Sequence, residues 1–204
     1  MTDPGLRERK KQRTREAIVA AALQLFEERG FDQTTIADIA EAADIAPRTF
    51  FGYFPSKEDV VFADFPETVA GLSARLDDRD EDQTAIDAIR GWIDEVLEEA
   101  DLRDERERCR KRVIGQSEAL AAHNRALMGE VEALLAGHIA HDLGDRPGDV
   151  RPHMIASAVI GALTALDVKG GDDGESPPSK QEAGAMVDDA LRFLQGGLEA
   201  LRRS

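Results

Sequence analysis

The chain has 204 residues, and its 26 basic residues against 41 acidic residues give a formal net charge of −15. An apolar share of 42% is typical of a folded globular protein, and no apolar run reaches the roughly 18 residues of a membrane-spanning helix. The single cysteine, Cys109, excludes an intramolecular disulfide and a cysteine-rich zinc site, and we interpret it as a bystander rather than a sensor thiol. Because no secretion signal is visible, we expect a cytoplasmic protein.

The charge is distributed unevenly along the chain. Residues 1–57 hold nine basic and nine acidic residues, so the acidic excess of 32 against 17 lies entirely in residues 58–204. The first fifteen residues are locally basic, with six Lys or Arg residues against Asp3 and Glu8. This pattern predicts a flexible arm able to contact DNA phosphates, with an ordinary solvated tail as the alternative.

Three helices are predicted near the N-terminus from apolar residues at helical spacing, over residues 9–29, 36–43 and 47–54. Either Thr34 or Thr35 can cap the second helix. Pro47 suits the first turn of the third helix because its φ angle is fixed near the helical value. Phe50 and Phe54 lie one turn apart, so both are expected to face inward.

The rest of the chain is also predicted to be helical. Residues 56–59 form a capping-box sequence that opens a fourth helix, and Pro66 is expected to kink or split that helix. After an acidic linker, the apolar pattern predicts helices over residues 84–100, 102–114, 118–142, 150–168 and 181–201. A loop rich in Gly, Asp and Pro at residues 170–179 joins the last two. No strand pattern or internal repeat is visible, so we expect an all-α fold.

The second and third helices have the arrangement of a helix-turn-helix, in which one helix braces another in the major groove of DNA. The run over residues 30–60, GFDQTTIADIAEAADIAPRTFFGYFPSKEDV, resembles the DNA-binding domain of the TetR family of bacterial repressors. The match includes the Thr-Thr entry to helix two and Thr-Phe-Phe-x-Tyr-Phe-x-Ser-Lys across helix three. The resemblance is strong over residues 9–64. It implies a helix-turn-helix DNA-binding domain at 1–57 and a larger helical ligand-binding and dimerisation domain at 58–204.

The resemblance implies DNA-binding roles for seven residues: Thr35, Pro47, Arg48, Thr49, Phe51, Tyr53 and Lys57. Arg48 is expected to contact guanine O6 and N7, with a phosphate contact as the alternative. Thr49, Tyr53 and Lys57 are expected to bind phosphates, although Thr49 and Tyr53 can instead cap or pack. Thr35 can bind a phosphate or simply cap its helix. Pro47 and Phe51 are placed to meet thymine methyl groups, with core packing as the alternative for Phe51.

The last two predicted helices carry apolar residues at spacings of four and three, typical of a seam along a partner helix. They predict an intersubunit four-helix bundle, and burial inside one subunit is the alternative. The residues predicted to form the bundle are Ile155, Val159, Leu163, Leu191, Leu194 and Leu198. An effector site is expected between residues 64 and 142. The candidate residues are Trp92, Val96, Leu120 and Leu127, which can line either a core or a cavity. Similarity to one branch of the family suggests a lipophilic or acyl-thioester effector.

We therefore expect a homodimeric repressor that a small effector releases from a palindromic DNA operator, with no cofactor and no enzymatic activity. The main alternative is an enzyme, since His138 and His141 lie three residues apart beside Asp142 and can form part of a metal site. No third ligand is visible, so we expect a solvated or core histidine pair and no metal. A helical effector-binding or metal-dependent protein without DNA binding is the remaining alternative.

Overall fold

The computed structural model describes residues 5–99, 105–169 and 179–202, and within these ranges every regular element is an α-helix. The helices are α1 (Leu6–Arg29), α2 (Ile36–Ala42), α3 (Pro47–Phe50), α4 (Lys57–Val61), α5 (Phe65–Asp77), α6 (Ala85–Glu99), α7 (Glu105–Gln116), α8 (Glu118–Leu143), α9 (Val150–Lys169) and α10 (Lys180–Arg202). The all-α prediction is confirmed. The predicted loop at residues 170–179 lies, apart from its last residue, outside the described residues.

The chain divides into two compact units, which are described separately. Unit 1 consists of Met1–Phe65 and Asp104–Asn124, and unit 2 consists of Pro66–Arg103 and Arg125–Ser204. Unit 1 therefore contains α7 and the start of α8, which the predicted boundary after residue 57 assigns to the C-terminal domain. Cys109, Val113 and Leu120 from these two helices share one hydrophobic core with the N-terminal helices.

Helix α1 begins at Leu6, so the prediction of a flexible arm is wrong for residues 6–15, which form the first turns of the helix. After Gly5 this stretch contains only Leu, Arg, Glu, Lys, Gln and Thr, most of which are strong helix formers, and no proline or glycine interrupts it. The helix ends at Gly30, whose φ angle of 84° lies in the left-handed region that favours glycine.

Helices α2 and α3 are joined by a tight turn. Asp44 has a φ angle of 54°, and the backbone N–H of Ile45 donates to the carbonyl of Ala40 at 2.9 Å. Helix α3 is shorter than the predicted 47–54, because residues 51–53 continue as hydrogen-bonded turns. Gly52 has low helix propensity and Pro55 disfavours helical backbone at the residue before it, which accounts for the early end.

Aromatic side chains dominate the core of unit 1. Phe26 and Phe31 have ring centroids 5.0 Å apart, and those of Phe50 and Phe54 are 6.0 Å apart. Both Phe50 and Phe54 are buried, as the sequence predicted. This core holds α3 against α1 and α4.

The predicted fourth helix is split in two, which is one of the two outcomes expected from Pro66. Helix α4 is capped by Ser56, whose hydroxyl accepts from the N–H of Asp59 at 3.3 Å. Helix α5 starts at Phe65, so Pro66 lies in a first helical turn, where its missing N–H has no intrahelical partner to lose. Proline position therefore sets where the second of these helices begins.

Unit 2 contains a nearly buried ion pair beneath the linker between α5 and α6. The guanidinium of Arg79 lies 3.0 Å from a carboxylate oxygen of Asp142, and their side chains are only 11% and 5% exposed. The other oxygen of Asp142 accepts from the backbone N–H of Ala85 at 2.6 Å. One carboxylate on α8 therefore anchors both the linker and the start of α6.

Val159 and Leu191 of the predicted α9 and α10 seam are buried within one chain, which is the alternative considered for them. Helix α10 packs on both α9 and α6, so these side chains join the core of unit 2. The predicted seam residues Ile155, Leu163 and Leu194 are partly buried, and the side chain of Leu198 lies outside the described residues. None of the helices in the described residues combines the length and apolar character needed to cross a bilayer.

Candidate nucleic-acid interface

Helix α3 presents one side to the core and the other to solvent. Phe50 is 0% exposed, whereas the neighbouring Phe51 is 58% exposed. Pro47, Arg48 and Thr49 are also exposed, so four of the seven predicted DNA-binding residues lie together on one outward surface. Core packing is thereby excluded as the role of Phe51.

A shallow groove of about 460 Å³ runs between α3 and the first turns of α1. Its lining from α3 and the following turn consists of Arg48, Thr49, Gly52 and Tyr53, and its lining from α1 consists of Arg7, Lys10, Lys11 and Thr14. Tyr53 is half-buried and packs against the core of unit 1. The sequence predicted phosphate contacts for this basic stretch only as a flexible arm, although spacings of three, four and seven residues place these four side chains on one helical face.

Lys57 is tied to the loop that follows α1. Its Nζ donates to the carbonyl oxygens of Phe31 at 2.7 Å and Thr34 at 3.1 Å, and it lies 4.1 Å from the centroid of the Phe31 ring. An ammonium group carries three N–H donors, so these two bonds leave one for a further acceptor. The predicted phosphate contact of Lys57 stays a prediction, and the structure adds a bracing role.

Thr35 caps α2, which is the alternative considered for it. Its hydroxyl accepts from the N–H of Asp38 at 3.2 Å and donates to the Asp38 carboxylate at 2.5 Å. The hydrogen bond from the Thr35 side chain, followed by that from its backbone N–H, holds the pKa of Asp38 below its ordinary value. A phosphate contact by Thr35 stays a prediction.

Helix α7 braces α1 through charged side chains. Arg112 donates to the carboxylates of Glu27 and Glu105, with its Nε 2.9 Å from an oxygen of Glu27. The hydrogen bond from Arg112 is the main cause that lowers the pKa of Glu27. Nearby, burial followed by the hydrogen bond to Glu27 raises the pKa of Cys109 to about 11, so the thiol stays protonated, which agrees with the bystander interpretation.

The four candidate effector residues fall into different units. Leu120 is fully buried in the core of unit 1, whereas Trp92, Val96 and Leu127 belong to unit 2. Trp92 lies against Gly71 of α5, and Val96 is exposed. Leu120 therefore contributes to packing, and the three residues of unit 2 remain the predicted effector candidates.

The metal-site alternative finds no support in the geometry around the two histidines. His138 Nδ1 lies 2.9 Å from the guanidinium of Arg79, and His141 is exposed. Within the described ranges, no group of three or more His, Cys, Asp or Glu side chains is arranged to hold a metal ion. Burial, followed by the nearby charge of Arg79, lowers the pKa of His138 below its ordinary value.

The lowered pKa of His138 predicts a pH-dependent stability. As the pH falls, His138 of the unfolded chain takes up a proton near its ordinary pKa of about 6.5, whereas His138 of the folded chain does so only at a lower pH. The free energy of unfolding therefore falls as the pH drops below that value. We expect His138→Gln to remove part of this acid-induced loss in urea unfolding measured from pH 7.5 to 5. The control His141→Gln, which alters an exposed ring, should keep the parent pH profile, and identical profiles for both variants would contradict the assignment.

Comparisons with known proteins agree with the helix-turn-helix geometry. Residues 18–63 match the sequence model described as bacterial regulatory proteins of the tetR family, and residues 83–199 match the MftR C-terminal domain. The transcriptional regulator TcmR of Streptomyces glaucescens is 33% identical over 163 residues, which cover 76% of this chain and 71% of TcmR. The putative mycofactocin biosynthesis regulator MftR of Mycobacterium tuberculosis is 31% identical over 160 residues, which cover 78% of this chain and 81% of MftR.

A solved structure has the same fold. The TetR-family repressor FadR of Thermus thermophilus, in complex with lauroyl-CoA, superimposes with a TM-score of 0.58 at 22% identity, covering 90% of this chain and 94% of FadR. The sequence matches extend over both halves of the chain, and α3 stands exposed on a buried aromatic core. The chain therefore belongs to the TetR family of transcriptional regulators.

Proposed function

We propose that the chain is a repressor that binds a palindromic DNA operator as a homodimer and is released by a small effector. The observation that carries this proposal is the opposite exposure of Phe50 and Phe51, because it shows that α3 is fixed by the core while its outer side chains stand free. Arg48 on that outer side has the donor geometry for a guanine edge. We also propose that the protein is located in the cytoplasm and catalyses no reaction.

Exposed apolar side chains on α9 and α10 support assembly with a second copy of the chain. Met154 of α9 is 66% exposed and Phe193 of α10 is 80% exposed, and Val150, one helical turn before Met154, is also exposed. Large apolar groups on a surface mark interaction sites because burying them is favourable. We expect light scattering to give twice the chain mass of 22.3 kDa, and Phe193→Glu to shift the mass toward one chain. A single-chain mass for the parent protein at micromolar concentration would contradict the homodimer.

A lipophilic or acyl-thioester effector fits the proposed mechanism. Trp92, Val96 and Leu127 offer apolar surface in unit 2, and lauroyl-CoA is the ligand held by FadR of Thermus thermophilus. Helix α8 starts in unit 1 and continues into unit 2, so an effector in unit 2 acts on a helix whose Leu120 packs in the core of α3. The repressor leaves the operator if the effector favours a dimer whose two α3 helices no longer match half-sites roughly 34–36 Å apart on the DNA.

The proposal is tested by footprinting on the DNA upstream of the coding sequence, followed by titration of the protected site. We expect an affinity of about 10 nM or tighter at physiological salt, and a loss of about 5- to 150-fold in Arg48→Ala. The control Arg125→Ala changes the same charge in unit 2 and should bind like the parent. The absence of any protected site at low salt would overturn DNA binding, and parent-like affinity of Arg48→Ala would overturn the role of Arg48.

Trp92 is the only tryptophan of the chain, so its fluorescence gives a direct screen for effectors. An effector that binds near Trp92 should change its emission and lower operator affinity in the same concentration range. Fluorescence changes with no effect on operator binding would contradict the coupling.

A further inference from the structure

We propose that the first turns of α1 bind the DNA backbone beside α3, through a helical face formed by Arg7, Lys10 and Lys11. This inference rests on the proposed operator binding and adds a second contact surface to it. We refer to residues 6–14 as the basic extension.

The geometry joins the basic extension to α3. Arg7, Lys10 and Lys11 line the same groove as Arg48 and Tyr53, so both helices face one open space. A second groove is lined by Lys10, Arg13 and Thr14 of the basic extension, by Ala17 further along α1, and by Ala43, Asp44 and Ile45 of the turn between α2 and α3. The basic extension therefore lies along the helix-turn-helix on two sides.

Ion pairs among the described residues do not account for the charges of Arg7, Lys10 and Lys11. Residues 6–15 carry six basic residues and only Glu8 as an acidic one, in a chain whose net charge is −15. In the part of the chain that the structure describes, Arg7, Lys10 and Lys11 form no ion pair. Like charges one helical turn apart destabilise a helix by roughly 0.2–0.5 kcal/mol per pair, so the cluster weakens α1 unless an anionic partner is bound.

Duplex phosphates fit this face in both charge and spacing. Arg7 and Lys11 are four residues apart, about 6 Å along the helix axis, and phosphates of one strand follow one another about every 3.4 Å of duplex axis, so these long side chains can reach separate phosphates. Because α3 holds the side chains that reach base edges, the basic extension is assigned to the backbone alone. Its contribution should therefore be independent of base sequence.

The test compares operator binding by the parent protein and by the triple variant Arg7→Ala, Lys10→Ala, Lys11→Ala across a series of KCl concentrations. Each lost phosphate contact should reduce the slope of log affinity against log salt by about 0.9, giving a total reduction of about 2–3. At 50 mM KCl we expect at least about 10-fold weaker binding, equal for operator and scrambled DNA. The control variant Arg125→Ala, Arg146→Ala, Arg192→Ala removes the same charge from unit 2 and should keep the parent slope.

A proline variant tests whether the basic extension acts as a helix. Gln12→Pro removes the hydrogen bond to the carbonyl of residue 8 and clashes with the preceding turn, while the first buried residue of α1 is Ile18. We expect an unchanged melting temperature and a loss of affinity similar to that of the triple variant, whereas Gln12→Ala should bind like the parent. Parent-like binding by Gln12→Pro would overturn the helical presentation.

The outcomes separate this inference from the proposed function. If the parent protein binds an operator and the triple variant keeps its affinity and salt slope, the basic extension is not a contact surface and the repressor function stands. A loss confined to operators with A·T-rich flanks would overturn the assignment to phosphates. If the parent protein binds no operator, the proposed function itself fails.

Discussion

Phe50→Ala is expected to lower the free energy of unfolding by about 3–5 kcal/mol and to abolish operator binding. The Phe50 ring is fully buried, and its centroid lies 5.7 Å from that of Phe51 and 6.0 Å from that of Phe54. Truncation leaves a cavity beneath α3, a helix of only four residues that depends on this packing. The outward side chains of α3 then lose their fixed orientation.

Phe51→Ala is the matched control, because it truncates the same side chain one residue further along. The Phe51 ring is largely exposed, so its loss should change stability by no more than about 0.5 kcal/mol while still weakening DNA binding. Urea unfolding followed by circular dichroism measures both variants. Trp92 lies in unit 2, so its fluorescence reports that unit and circular dichroism is the better probe of unit 1. Equal stability of the two variants would contradict the inward and outward assignment.

Asp142→Ala is expected to cost about 3–5 kcal/mol, the usual penalty for removing one partner of a buried ion pair. The change leaves the nearly buried guanidinium of Arg79 without its carboxylate and removes the acceptor for the N–H of Ala85. The linker before α6 thereby loses its anchor on α8. Thermal and urea unfolding of the variant measure the loss.

The exposed pair of Arg192 and Asp189 provides the control for Asp142→Ala. Asp189→Ala should change stability by less than about 1 kcal/mol, since water and salt screen an exposed pair. Replacing both buried partners, Arg79→Met with Asp142→Leu, should recover most of the loss because no charge is left uncompensated. Equal effects of Asp142→Ala and Asp189→Ala would show that the buried pair contributes no more than a surface one.

Local patterns in the sequence were sufficient to predict much of unit 1. Helical spacing of apolar residues, the Ser56 cap and the position of Pro66 depend on neighbours within one or two turns, and each agrees with the observed helices. The inward position of Phe50 follows from the same local geometry, whereas only the structure shows that Phe51 faces outward. The basic extension was predicted as an arm because charge was given more weight than the helix propensity of the same residues.

The sequence alone determined the order of the helices, the position of the helix-turn-helix and the burial of Phe50 and Phe54, because these depend on contacts a few residues apart. Only the tertiary structure decided what covers each apolar face: Val159 and Leu191 pack within one chain, and Leu120 joins the core of α3. It also decided that the basic extension lies beside Arg48. Periodicity shows that a face is apolar or basic, whereas its partner is selected by packing between residues far apart in the chain.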